Sequence, residues 1–334
     1  MTRSLLNGEV LHDRYKIRER IGQGGAGSIY LADDLRLDGR LCALKEVEYD
    51  LALPENIREE ARLQFLREAT ILARLDHPNL PKVSDFFSNG PRDYLLMDYI
   101  PGDDLRKIIL EMRRNKIFLP EQQTLGWAYQ LADALAYLHG QQPSIVHRDI
   151  KPSNLKITPN GLLKLVDFGL VKIMAPNEEV TITVIQGQGT ALYTPLEQYG
   201  SDEIHTDARS DIYSYGATLY HLLTNEPPTE ARKRFLQPTS LIPPRQINPS
   251  ISARTEQAVL WAMALHPDDR PESMQAFINF LFKGHEIPAR PRLRTPQSAF
   301  DIPNFDLFGD QLDRILAWSA AGLLLLSLVA SLMH

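Results

Sequence analysis

The stretch that decides the fold reads His147-Arg148-Asp149-Ile150-Lys151-Pro152-Ser153-Asn154, followed by Asp167-Phe168-Gly169. Moving a phosphoryl group needs a carboxylate to orient a hydroxyl nucleophile, a cation to offset developing charge, and oxygen ligands for magnesium. Asp149, Lys151, Asn154 and Asp167 supply these in one short interval. The order of the residues carries the signal, since each type alone is common.

Upstream, Gly22-Gln23-Gly24-Gly25-Ala26-Gly27 permits tight turns and a close approach of backbone amides to phosphate oxygens. Glycines at this spacing also occur where a strand turns into a helix to hold a dinucleotide. Here Ser28-Ile29-Tyr30-Leu31 reads as a returning strand, so a hairpin over phosphates fits better. Next, Lys45 ends the apolar strand Cys42-Ala43-Leu44-Lys45, where an inward ammonium needs an anion. Glu68, in a helical run predicted over Pro54 to Leu75, is the carboxylate placed to pair with it. Glu59 and Glu60 read as solvated.

From Tyr15 to Phe282 these motifs, in this order, resemble the protein kinase family, in the bacterial Hanks-type Ser/Thr branch and its receptor kinases. The resemblance implies an α+β bilobal fold, with a small β-rich N-lobe over residues 15–98 and a larger helical C-lobe over 102–282. It implies an ATP-dependent transferase using Mg2+, with Mn2+ as an alternative ion, acting on protein Ser or Thr hydroxyls. By the same resemblance Asp149 is the catalytic base, Lys151 contacts the transferring phosphate, and Asn154 and Asp167 hold metal. Lys45 contacts the α and β phosphates and is oriented by Glu68. Ile21, Gly22, Gly24, Gly27, Ile29 and Ala43 line the nucleotide, Met97 is the gatekeeper, Asp98 to Ile100 form the hinge, and Asp104 contacts ribose. His147 is a packing residue beneath Phe168, with Leu72 and Val83 above. Asp211 holds the catalytic-loop backbone, Glu197 and Arg270 form a buried ion pair, and Gly189-Thr190 face the substrate. Arg148 beside the base implies control by a phosphorylated loop, with Thr181 and Thr183 as acceptors. Self-association is also implied.

Two features depart from the family pattern. The proline of the usual Ala-Pro-Glu element stands one place early, in Pro195-Leu196-Glu197. Lys156 occupies a position where an apolar residue usually lies beneath adenine; its stem is expected to cover the ring while its ammonium reaches solvent. Neither removes a phosphate, metal or proton-transfer group. A nucleotide-binding scaffold and a small-molecule or lipid kinase are the competing readings. The first is opposed by the full set of Lys45, Asp149, Asn154 and Asp167, the second by the peptide-kinase pattern from Gly189 through Glu197.

The remaining sequence sets the context. At 334 residues with a net charge of -6, the chain suits one or two folded units and lacks the Lys/Arg excess of a nucleic-acid binder. A single cysteine, Cys42, rules out an internal disulfide or a Cys-based zinc site and fits a reducing compartment. Met1 to Val10 has no apolar signal core, whereas Ile315 to Met333 runs without a charge. As a helix those residues would span roughly 28 Å, close to a bilayer's hydrocarbon thickness. Arg290, Arg292, Arg294 and Arg314 precede them and only His334 follows, so the sequence predicts a transmembrane helix over 315–333, with the catalytic domain cytoplasmic. The Pro-rich residues 284–314 read as a juxtamembrane linker.

Overall fold

A computed structural model describes residues 4–24, 27–49, 54–167, 172–173, 191–199 and 206–283. Phe168, Gly169, Thr181, Thr183, Gly189, Thr190, the linker 284–314 and the predicted span 315–333 lie outside these. The chain divides after Pro291, and every described residue belongs to the first unit. Among the described residues no helix is long and apolar enough to cross a membrane.

The upper half is an antiparallel sheet. Strands β1 (Val10–Leu11), β2 (Tyr15–Gly24), β3 (Gly27–Asp34), β4 (Leu41–Glu48), β5 (Val83–Asn89) and β6 (Arg92–Asp98) lie in the order β1-β2-β3-β4-β6-β5. Alternation along β4 sorts its side chains. Cys42 and Leu44 enter an outer cluster with Tyr15, Tyr30, Tyr94 and Leu96, while Ala43 joins Leu95 and Met97 in the main core. Lys45 therefore shares the face of Ala43, toward the interior. Gly27 has a positive φ, and a Cβ there would lie 1.9 Å from the Glu46 carbonyl oxygen, so the returning strand needs glycine to approach β4. Helix α1 (Glu55–Leu72) crosses this half, burying only Ala69 and Leu72.

The lower half is helical. It comprises β7 (Asp103–Asp104), α2 (Leu105–Arg114), α3 (Glu121–His139), β8 (Ile145–Val146), β9 (Leu155–Ile157), β10 (Leu163–Leu165), β11 (Lys172–Ile173), α4 (Ala208–Thr224), α5 (Ala231–Leu236), α6 (Pro244–Ile247), α7 (Ala253–Ala262) and α8 (Met274–Phe282). Helix α4 buries 14 of its 17 residues and forms the spine of this half. Two small sheets, β10-β9-β7 and β11-β8, lie on the helices and carry the loops of the site. The arrangement is the bilobal α+β architecture expected from the sequence.

Candidate active site

The loop between β8 and β9 is built from behind. Asp211, in the first turn of α4 and fully buried, accepts the backbone N–H groups of His147 and Arg148, each at 2.8 Å. His139, at the end of α3, adds a third contact to the same carboxylate at 2.8 Å. Burial works against ionising Asp211, yet the His139 contact and the loop amide hold its carboxyl below the ordinary range. Arg148 takes φ +67° in this grip, a left-handed conformation that non-glycine residues adopt at a cost of roughly 1–3 kcal/mol. His147 is buried completely, and desolvation lowers its pKa, so it stays neutral beneath the loop.

Ahead of this support, Lys151 Nζ donates to both Asp149 carboxylate oxygens, at 2.8 and 2.7 Å. Asn154 Nδ2 donates to the Asp149 carbonyl at 2.8 Å and to its Oδ2 at 2.9 Å, fixing the carboxylate's orientation. The Asn154 carbonyl accepts the Val166 N–H at 2.8 Å, which leads directly to Asp167. Asp167, with φ +68°, receives Lys45 Nζ at 2.7 Å, and the Lys45 charge holds its carboxyl below the usual range. Lys45, Asp167, Asn154 and Asp149 are thus joined by contacts and, between Asp167 and Asn154, by the backbone of Val166.

The pairing expected between Lys45 and Glu68 is not made in this structure. Lys45 gives its ion pair to Asp167, and Glu68 instead accepts from Gln64, one turn earlier in α1, at 3.0 Å. Burial pushes the Glu68 pKa up to about 7, against the lowering pull of Gln64, Lys45 and Arg148. Glu59 and Glu60 are exposed, as read.

At the hinge, Asp98 exchanges backbone and side-chain contacts with Lys82, and Ile100 is buried. Asp104 caps α2, its Oδ1 accepting the Lys107 N–H at 2.8 Å. Gly102 has φ +107°, and a Cβ there would sit 2.0 Å from the Ile157 carbonyl oxygen, so the crossing between halves requires glycine. Ile21 is exposed, Ile29 half-buried and Ala43 buried on the strands above. Glu197 meets Arg270 in a two-pronged pair of 2.6 and 3.0 Å, and Arg270 also donates to the carbonyls of Ala264, Leu265 and Arg209.

Three side chains escaped the sequence reading. His139 is one. Asn79 is fully buried and donates to Gln130 Oε1 at 3.1 Å and to the Leu163 carbonyl at 2.7 Å, while Gln130 accepts the Leu163 N–H at 3.0 Å. The segment after α1 is thereby fastened to α3 and β10. The only signal was the His77-Pro78-Asn79 break after a helical run.

A strand-rich half over a helical half, with a lysine, two aspartates and an asparagine linked at their junction, defines a protein kinase. The chain belongs to the protein kinase domain family, whose model matches residues 15–283, and its relatives place it among bacterial Hanks-type Ser/Thr kinases. It is similar to the serine/threonine-protein kinase PknB of Mycobacterium leprae, 34% identical over 302 residues, covering 85% of this chain and 45% of that one. The apo structure of PpkA-294 aligns with a TM-score of 0.65 and 26% identity, covering 84% of this chain and 100% of that one. The kinase domain of Mycobacterium tuberculosis PknI aligns at 0.63 and 25%, covering 83% and 98%. The chain spans less than half the length of the curated relatives it matches. Members of the family are transferases that use ATP with Mg2+, and in some cases Mn2+.

Proposed function

We propose that the protein transfers the γ-phosphoryl group of ATP to Ser or Thr hydroxyls of protein substrates. The observation that carries this reading is the linked chain from Lys45 through Asp167 and Asn154 to Asp149. Asp149, oriented by Lys151 and Asn154, would accept the hydroxyl proton, and Lys151 would neutralise charge on the moving group. Asp167 and Asn154 offer hard oxygen donors that suit Mg2+, which when bound would neutralise phosphate charge. Lys45 would hold the α and β phosphates, and Glu68 is the carboxylate available to orient it once Asp167 turns to metal. Ile21, Gly22, Gly24, Gly27, Ile29 and Ala43 would cover the nucleotide, with Asp98, Ile100 and Asp104 along its hinge side. Incubation of the full chain with radiolabelled ATP and Mg2+ should label protein, and Asp149→Asn should lower the rate by about 10²–10⁴. An Asp149→Asn protein as active as the parent would overturn the reading and leave a scaffold.

The finer reading is a membrane-tethered signalling kinase, with a catalytic domain over 15–282, a linker over 284–314 and a span over 315–333. The uncharged run and the arginines before it support this. The full chain should sediment with membranes and a 315–334 deletion should not; equal partitioning would defeat it. Thr181 and Thr183 are the proposed autophosphorylation sites, and mass mapping of the labelled product should find phosphate on one of them. Full activity with both unmodified would remove this regulatory role.

A further inference from the structure

Three short segments, Tyr99, β7 and β9, meet at a half-buried lysine for which the chemistry above has no use. Leu155 and Ile157 of β9 pack into the lower core, so strand alternation turns Lys156 to the opposite face. The ladders place Asp104 of β7 and Lys164 of β10 directly across from it, on that same face. Lys164 Nζ donates to the Leu80 carbonyl at 3.0 Å. Among the described residues Lys156 has no equivalent acceptor. Its ammonium stands 5.5 Å from the centre of the Tyr99 ring and, among the described residues, makes neither a hydrogen bond nor an ion pair.

This placement is unfavourable in a protein without a ligand. Two lysines stand opposite each other in one ladder, and burial lowers the pKa of both. Asp104 and Asp103 offset the charge only at a distance, and one Asp104 oxygen is already occupied by the Lys107 N–H. Three N–H donors of a half-buried cation are left to be matched from outside the protein. A ribose diol matches the local chemistry, because each hydroxyl both donates and accepts. One can donate to the Asp104 carboxylate while its neighbour accepts from the Lys156 ammonium.

We propose that Lys156 is a nucleotide-recognition residue, donating a hydrogen bond to a ribose hydroxyl of ATP opposite Asp104. The proposal rests on the kinase reading and adds a cation to the sugar subsite. It is tested by Lys156→Met, which keeps an unbranched apolar stem and removes the donors. A hydrogen bond to a charged group is worth about 1.5–3 kcal/mol, so KM for ATP should rise roughly tenfold or more, with kcat falling less. The stabilisation of the full chain by ATP and Mg2+ in a thermal melt should shrink, while the melting temperature without nucleotide should not fall. Against 2′,3′-dideoxy-ATP, parent and Lys156→Met should bind alike. A variant with parental KM and parental nucleotide-induced shift would show that the lysine is only a cover for the base. An equal loss against both nucleotides would place the contact away from the sugar; either result overturns the proposal. A parent chain that ATP does not stabilise at all would instead remove the kinase reading itself.

Discussion

Helices α1 and α4 have almost the same length and opposite environments. Of the 18 residues of α1, two are buried; of the 17 of α4, 14 are. The carboxylates they carry differ in the same way. Asp211 on α4 is held by three contacts and kept ionised, whereas Glu68 on α1 has one neutral partner from its own helix and a raised pKa. The half that orients Asp149 is thus over-determined, and the half that would orient Lys45 has room to shift. Elements with few buried apolar contacts open at lower free energy than core elements. On the proposed function, the side of the site that holds Asp149 is preset, and the side that holds Lys45 is the adjustable one.

The contrast predicts a gradient of mutational cost. At the rigid extreme, Arg270→Met leaves the Glu197 carboxylate buried without its cation. Breaking such a pair costs about 3–5 kcal/mol, to be read as a drop in the denaturant midpoint. A loss below about 1 kcal/mol would mean that the pair is not closed in solution. One step down, Ile212→Ala in α4 should cost about 2–5 kcal/mol, while Leu66→Ala on the exposed face of α1 should stay within about 0.5 kcal/mol. Equal losses at the two helices would erase the distinction.

What could be read from sequence follows the same division. Asp149, Asn154 and Asp167 are linked through a loop whose geometry the backbone imposes, which was legible in residue order; the Glu197–Arg270 pair was legible only through the resemblance to the kinase family. The partner of Lys45 was not, since two carboxylates stand within its reach and the choice depends on where α1 sits. His139, Asn79 and Gln130 were missed for another reason. They act as hydrogen-bonding links between elements far apart in sequence, and nothing in their spacing separates them from ordinary polar residues. Strands of two or three residues, such as β7 and β9, are too short to show a period, so Asp104 and Lys156 became neighbours only in three dimensions.

The pH-dependent effect is the most discriminating, because its sign reports which carboxylate Lys45 holds. With Glu68 raised to about 7 from an ordinary value of 4.5, the folded protein keeps a proton that the unfolded chain releases. Its contribution is fully present below about pH 4.5 and is lost as pH rises through about 7. Glu68→Gln does not titrate, so its stability advantage over the parent should grow from pH 5 to pH 8. After allowance for solvent screening, the advantage should reach on the order of 2 kcal/mol. Urea unfolding at several pH values measures it. If Lys45 instead closes on Glu68 in solution, the carboxyl is depressed and the same substitution destabilises at pH 8. That outcome would make α1 as fixed as α4 and remove the asymmetry between the two halves.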